Sequence, residues 1–389
     1  MSLLNTKTKA ETNTIEDLEV IDTTDTNTTK SLNKKKKKIS KIKIIIIVLI
    51  SIIFGFIALC AASIAIYIYG YAPEQYETNN KTINSVVYNN ISNDTIDSKE
   101  SSSKETKNKA QNKTENKTVE QKDYGSHYYS NDIDWKSTQK VSSDIVAWIN
   151  IKNTPISYPV FYKKNDNPKD PYYLYRNYKK EYDMYGSIYV NPASKQVLKS
   201  KNIILMGHNM DDGSMFHSLT NYGGMKGNLD FYIKSPTISL KHNDKKDIYK
   251  IISVMKIDST DKSFNSLVGE FYSSAEFMNY VYQVKARSLI NTNIKVNEND
   301  SLLTLSTCSY EYENFRTVVV ARKVRNGENP SVDPQNCSLN KEVLFPNICY
   351  KNDKSLKKPK ITTFMTEYKK HKISWYDGNG KVSGGEKIY

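Results

Sequence analysis

Between Ile44 and Ala72 there is no charged residue, and Ile44 to Tyr69 is almost wholly apolar. No other feature constrains the chain as much. In hydrocarbon, backbone polar groups must be satisfied inside the segment that carries them, and a helix does this. Those 26 residues extend roughly 39 Å as a helix, enough to cross a ~30 Å hydrocarbon core with some tilt. A cleaved secretory signal has an apolar region of about 7–15 residues close to the chain start. This segment is too long and begins too late for that, so residues 44–72 read as an uncleaved transmembrane anchor.

The flanks give the direction. Lys34 to Lys38, Lys41 and Lys43 precede the apolar run; Tyr67, Tyr69, Tyr71, Pro73 and Glu74 close it. Positive charge stays on the cytoplasmic side, and tyrosines suit the opposite interface. The expectation is a single-pass cell-membrane protein, N-terminus cytoplasmic and everything after Pro73 extracellular. The formal net charge of +14 points to nucleic acid, an anionic membrane or an anionic wall polymer as neighbour. Because the lysine block abuts the apolar run, the membrane is the expected partner and nucleic acid is not.

Composition divides the remainder. Residues 1–43 read as a disordered cytoplasmic tail ending in the lysine-rich flank. Residues 73–123 are poor in apolar groups and read as a flexible extracellular linker, with an r.m.s. reach of roughly 40 Å. Its Asn-x-Ser/Thr triplets at Asn80, Asn90, Asn93, Asn112 and Asn116 are what chance yields in so Asn- and Thr-rich a segment. A globular domain is expected over 124–325. Ser143 to Ile149 looks like the end of a short helix carrying Trp148 into a core. Short β-type runs follow at Ile156–Tyr162, Gly186–Val190, Ile203–Met206, Phe231–Ile233, Asp247–Met255, Ser301–Ser306 and Thr317–Val324, separated by turn formers. Ser274–Ile290 interrupts them with Phe277, Tyr280, Val281 and Val284 at helical spacing. Many short strands with few helices make a mostly β, closed or nearly closed barrel the expected fold.

Chemistry concentrates at a strand end. Ser301-Leu-Leu-Thr-Leu-Ser-Thr-Cys308 is followed, after seven residues, by Arg316-Thr-Val-Val-Val-Ala-Arg322. Joined as an antiparallel hairpin, these runs put Cys308 and Arg316 at facing ends. A cation beside a cysteine favours the thiolate and can later hold a developing oxyanion. Taken alone, such a cysteine is more often a small packed residue and such an arginine a surface charge. His208 changes the balance: Ile203–Met206 runs straight into Gly207-His208-Asn209, setting this histidine at a rim. The other four, His127, His217, His242 and His371, lie in polar stretches or after a turn. A His–Cys pair with a supporting Arg is a coherent acyl-transfer site. Four cysteines with no CxxC or Cys/His cluster exclude a disulfide framework and give no zinc-like spacing. Neither cofactor nor metal is expected, and Cys60 reads as a packing residue within the apolar run.

The segments Gly207-His-Asn-Met…Asp212-Gly-Ser-Met-Phe216 and Thr304-Leu-Ser-Thr-Cys308…Arg316 resemble the sortase family, class B in particular. Asp170-Pro-Tyr-Tyr-Leu174…Tyr178 with Gly186-Ser-Ile-Tyr189 is similar to that class's substrate-groove region, and the 274–290 helix to its distinguishing insertion. The resemblance covers about residues 130–325. It implies an eight-stranded barrel in a Gram-positive surface transpeptidase, with His208, Cys308 and Arg316 catalytic and Leu174, Ser306 and Thr307 lining the substrate groove. It further implies cleavage of a C-terminal sorting motif, such as NPxT-x, after its Thr, through a Cys308 thioester. The protein would then pass to an amino group of a peptidoglycan precursor. A surface cysteine peptidase that hydrolyses the acyl-enzyme, or a pilin-polymerising sortase, uses the same residues. A non-catalytic wall-binding barrel is the reading that an intact His–Cys–Arg set argues against.

Residues 326–389 depart from the family pattern, in which the chain usually ends soon after the arginine-bearing strand. They hold Cys337 and Cys349, a basic run from Lys354 to Lys360, and a hairpin-like Ile373-Ser-Trp-Tyr-Asp-Gly-Asn-Gly-Lys-Val. The extension reads either as a surface appendage or as a docking module near the groove. Its cysteines either stay free or close a small loop worth roughly 3 kcal/mol.

Overall fold

The computed structural model describes residues 26–88, 133–243 and 245–386. The tail before residue 26, the linker from 89 to 123 with its Asn90, Asn93, Asn112 and Asn116 triplets, and residues 124–132 lie outside the described residues. The chain divides into two units, one ending at Gly70 and one starting at Tyr71.

The first unit is helical. Helix α1 (Thr26–Ile66) passes into a π-helical turn at Tyr67–Tyr71. It therefore starts well before the apolar run. Lysine is a good helix former, and extending an existing helix adds a hydrogen bond per residue without a new nucleus. Its apolar side chains face outward, with Phe54 and Leu59 at 68% and 69% exposure. Ser51 and Ser63 donate their hydroxyls to carbonyls one turn back, which keeps polar groups satisfied within the helix. Among the described residues, one helical stretch, Lys43–Ser85, is long and apolar enough to cross a membrane by length and composition.

The second unit corrects the reading of residues 73–88 as linker. They form helix α2 (Ala72–Tyr88). Ala72, Tyr76, Asn79 and Ile83 are buried along one stripe at i, i+4, i+7 and i+11. Tyr76 stacks on Tyr185 with ring centroids 4.2 Å apart, and its hydroxyl lies 3.2 Å from that of Tyr158. Ile83 joins Ile133 and Trp148 in a small core. So few apolar positions in a polar segment leave little periodic signal, which is why composition alone favoured a linker.

Helix α3 (Trp135–Val141) is capped by Asp134, whose carboxylate accepts from Lys136 N and Ser137 N. The expected Trp148 helix is instead strand β1 (Ile145–Asn150). It is followed by β2 (Ser157–Phe161), β3 (Ile188–Val190) and β4 (Asn202–Met206). Phe231–Ile233 belongs to helix α4 (Leu229–Lys234), not to a strand; Asn228 starts it by accepting from Phe231 N at 3.1 Å. Strand β5 (Thr237–His242), not expected from the sequence, comes next, with Ile238 and Leu240 fully buried at period two. The chain continues through β6 (Lys245–Asp258), α5 (Ser274–Arg287), β7 (Ile290–Asn291), β8 (Leu302–Cys308) and β9 (Phe315–Lys323).

Eight of these strands close a barrel in the order β1-β2-β3-β4-β8-β9-β6-β5, and β5 pairs back on β1. Pairings are antiparallel except β2–β3 and β4–β8. The parallel β4–β8 pair matters most, because both strands leave the barrel at the same end. All of β4 and most of β8 are buried, as continuous apolar runs require when both sheet faces are covered. Helix α5 covers one face: Phe277, Val281 and Val284 pack with Leu302, Val318 and Val320.

The extension is part of this packing. It contains β10 (Ser338–Leu339), paired with β7, and helices α6 (Asn347–Asn352) and α7 (Phe364–Lys369). Phe364 is fully buried against the α5 cluster, and its backbone N–H donates to Asn279 Oδ1 at 3.0 Å. The segment from Ile373 forms no hairpin; Tyr376 makes a parallel bridge to Val296. Cys337 and Cys349 are both free thiols, so the possible loop closure is not made.

Candidate active site

The β8–β9 hairpin forms as its apolar pattern demands. Cys308 and Arg316 are directly paired across it, and Ser309 N donates to Phe315 O at 2.9 Å just beyond them. Arg316 Nη1 stands 3.7 Å from Cys308 Sγ, and both residues are half-buried. The hairpin loop is held from below. Lys256, on β6, meets Glu311 at 2.5 Å and Thr317 Oγ1 at 2.8 Å. Burial pushes the Glu311 carboxyl up, but its bond to the Lys256 ammonium outweighs this and holds it below the usual range.

His208 arrives from β4. The segment 208–216 is closed by Phe216 N donating to His208 O at 2.9 Å, with a bridge between Asn209 and Met215. Gly207 fits closely here: a Cβ would fall 2.3 Å from Ile188 Cδ1 and 3.1 Å from the Phe216 ring, so those side chains would have to shift. The residues on either side of His208 are bonded to the cysteine strand. Thr307 Oγ1 donates to Gly207 O at 2.8 Å, and Asn209 Nδ2 donates to Cys308 O at 2.9 Å. The parallel β4–β8 register thus delivers the imidazole and the thiol to one rim.

The imidazole is oriented from the other side. His208 Nε2 lies 2.8 Å from Leu174 O. A carbonyl only accepts, so Nε2 carries the proton and Nδ1 is the nitrogen left to accept. Leu174 sits in a 3-10 turn, Tyr172–Tyr175. Gly186, at φ +58°, lets the following strand pass that turn, where any Cβ would come 2.0 Å from Leu174 O. Tyr175 packs its ring 5.1 Å from the His208 ring. Burial pushes the His208 pKa down from 6.5, the Leu174 carbonyl works against that, and the Arg316 charge lowers it further. The net shift is down, so the neutral imidazole dominates at neutral pH.

The three residues expected to act are therefore brought together. The three expected to line the groove are placed differently. Ser306 and Thr307 are fully buried; Thr307 ties the two strands, and the Ser306 hydroxyl has no partner among the described residues. They lie on opposite faces of β8, as successive strand residues must, and both faces are covered at that point. Leu174 is half-buried in a core cluster and acts through its carbonyl.

The sequence reading missed Asn209, Tyr175, Tyr310 and the Lys256–Glu311 clamp. Tyr310 is 73% exposed and donates its hydroxyl to Asn209 O at 3.2 Å. A Tyr two residues after a rim Cys was the available signal for it; nothing local marks Lys256. Beside Arg316 opens a cleft of about 320 Å³ lined by Ile257, Asp258, Lys262 and Leu267, within the range of ligand pockets. Among the described residues no group of three or more His, Cys, Asp or Glu could hold a metal ion.

A sortase-domain family model matches residues 149–324. Sortase B of Listeria monocytogenes is 35% identical over 191 residues, covering 49% of this chain and 73% of that protein. Sortase B of Staphylococcus aureus is 29% identical over 191 residues, covering 49% and 74% respectively. The crystal structure of Clostridium perfringens sortase B is 29% identical with a TM-score of 0.44, covering 49% of this chain and 99% of that one.

Proposed function

The chain belongs to the sortase family as a class B transpeptidase, and from that premise we propose that Cys308 is its nucleophile, His208 its proton carrier and Arg316 its oxyanion partner. The observation that carries this reading is the Arg316 guanidinium 3.7 Å from the Cys308 sulfur. Both sit on strand ends beside the exit of β4 that delivers His208.

The Cys308 thiolate attacks the carbonyl carbon of the Thr in a C-terminal sorting motif. A C–S bond forms, the carbonyl electron pair moves onto oxygen, and Arg316 N–H groups donate to that oxyanion. The intermediate collapses with cleavage of the C–N bond, and the leaving amine takes a proton from the His208 imidazolium. A primary amine of a peptidoglycan precursor then attacks the thioester, and neutral His208 takes the proton it sheds. The C–S bond breaks, a new amide forms and the thiolate returns. A histidine held neutral suits the second half, where it accepts a proton; the charged form needed for the first half is a minority at neutral pH. No step needs a cofactor.

The substrates on this reading are surface proteins bearing a sorting signal. The apolar run within the Lys43–Ser85 helical stretch supports single-pass anchoring, and on the charge asymmetry of its flanks the lysine side is cytoplasmic and the barrel outside, next to wall precursors. The test is a peptide-library cleavage assay on the full chain in neutral detergent, with and without primary amines. Cleavage after Thr, with an amide product that grows with amine concentration, is expected. Free acid as the sole product at every amine concentration would replace transpeptidation with hydrolysis.

A further inference from the structure

The extension closes a second cavity, of about 490 Å³, away from Cys308. Its floor comes from the turn after α5 and the segment leading to β8; its wall comes from residues 340–375. Four lysines line it: Lys285 and Lys295 from the barrel side, Lys360 and Lys372 from the extension, against a single carboxylate, Glu342. Among the described residues none of the four is ion-paired. Lys295 donates to Ser374 O at 2.6 Å, which leaves two of its three ammonium hydrogens for another acceptor. Lys285 sits with its Nζ 5.4 Å from the Trp375 ring centroid. Thr292, also in the lining, has a buried hydroxyl without a partner.

Like charges gathered in a concave, partly dry site repel, and an isolated protein would be more stable without them. Lys285 registers that strain: burial, then the charges of Arg322 and Lys295, push its amine down to about 7. An anion in the cavity would offset all four charges at once. A phosphate ester supplies several acceptor oxygens and more than one negative charge, which several ammonium groups can share. The remaining lining speaks to what carries the phosphate. The Trp375 face offers a surface for the C–H groups of a sugar or polyol, and Asn291, Asn293 and Asn340 offer amides for its hydroxyls. A lipid surface would call for exposed apolar side chains at the mouth. The large ones of this unit, Tyr71, Tyr175, Tyr182, Tyr272, Tyr310 and Leu339, do not line the cavity.

We infer that this cavity binds a phosphate ester carried on a soluble sugar or polyol backbone. The catalytic domain thereby holds on to an anionic phosphate polymer through a site that its C-terminal extension completes. The site is independent of the rim chemistry, and its test reads binding alone.

The full chain in neutral detergent is titrated calorimetrically with a synthetic polyglycerol-phosphate oligomer, with an uncharged polyglycerol as reference. Saturable binding of the phosphate oligomer only is expected. The exposed pair Lys360→Glu/Lys372→Glu should weaken it roughly tenfold or more, since two charges facing the bound anion turn from attraction to repulsion. Lys354→Glu/Lys357→Glu makes the same charge change on the same segment outside the cavity and should weaken it by no more than about twofold, the screened effect of distant charge. A thermal unfolding midpoint close to that of the wild type shows that both variants fold. No saturable binding by the wild type, equal weakening in the two pairs, or binding to phosphatidylglycerol vesicles but not to the oligomer each overturns the assignment.

Discussion

Arg316 and Arg325 flank the same strand, β9, and meet opposite surroundings. Arg325 is clamped: its Nε and Nη2 donate to Asp300 at 2.8 and 2.7 Å, and its Nη1 and Nη2 donate to Asp377 at 2.6 and 2.9 Å. Next to it Glu328 accepts from Arg322 and from Lys250, and its carboxyl is held far below the usual range, first by the Arg322 hydrogen bonds. Arg316, among the described residues, has no carboxylate within ion-pair distance, and its donors face a thiol. A guanidinium with four of its five donors taken by carboxylates serves to hold structure together. One left with spare donors at a rim can serve a charge that exists transiently. The barrel thus leaves Arg316 without a carboxylate at the Cys308 end and clamps Arg325 at the other, with Asp377 of the extension as part of the clamp.

The strongest way to break this contrast is at the thiol. Cys308→Ala should abolish both turnover and capture of substrate as a thioester. Stability should move by only about 0.5 kcal/mol, as at a partly exposed position. A variant that melted far below the wild type would make Cys308 a core residue, and the open end would be misassigned.

Arg316→Lys comes next. Lysine keeps the charge and loses the planar fork. If Arg316 serves through directional hydrogen bonds, kcat/KM should fall on the order of 10²–10³-fold, with Cys308 still alkylated at a similar rate. Near-normal turnover would leave Arg316 as a source of positive potential only.

At the clamped end, Arg325→Gln should do the reverse. It leaves Asp300, 4% exposed, with a buried and poorly matched carboxylate, at a cost of about 1–3 kcal/mol in denaturant unfolding. Turnover per folded molecule should hardly change. A loss of kcat/KM comparable to that of Arg316→Lys would erase the distinction between the two ends.

The smallest effect sharpens the contrast by titration. Nuclear magnetic resonance of the His208 ring should give a midpoint below the ordinary 6.5. The Arg316 charge disfavours a second positive charge nearby, so Arg316→Gln should move the midpoint up and Arg325→Gln should leave it in place. An unmoved midpoint in Arg316→Gln would mean that the guanidinium and imidazole do not sense each other.

Much of the rim that carries Cys308 and Arg316 was legible because it lies on uninterrupted strands. Leu302–Cys308 and Phe315–Lys323 are apolar runs separated by a short loop, and a hairpin is the simplest way to bury both. Strand β5 was also within reach, since Ile238 and Leu240 alternate with polar neighbours. Other parts were hidden for physical reasons. Trp148 fits a helix or a strand equally well until Tyr158 and Leu240 bracket its strand. Ser306 and Thr307 look like groove residues from their place in the motif, yet both faces of β8 are covered there and both side chains are buried.

What the sequence determined by itself is whatever follows from near neighbours along the chain. That includes the long uncharged helix, the strand-terminal placement of Cys308 and Arg316, and the Gly207–His208 exit from β4, all set by periodicity and turn chemistry over a few residues. Only the tertiary structure decided which charges are neutralised. Arg316 and Arg325 are the same residue type nine positions apart; the one is open and the other closed because Asp300 and Asp377 come from distant segments. The same holds for the proton on His208 Nε2, directed by a carbonyl 34 residues away. It holds as well for the four lysines that meet across the barrel and its extension. Partners so far apart leave no periodic trace, because what joins them is the closure of the barrel and the packing of the extension against α5.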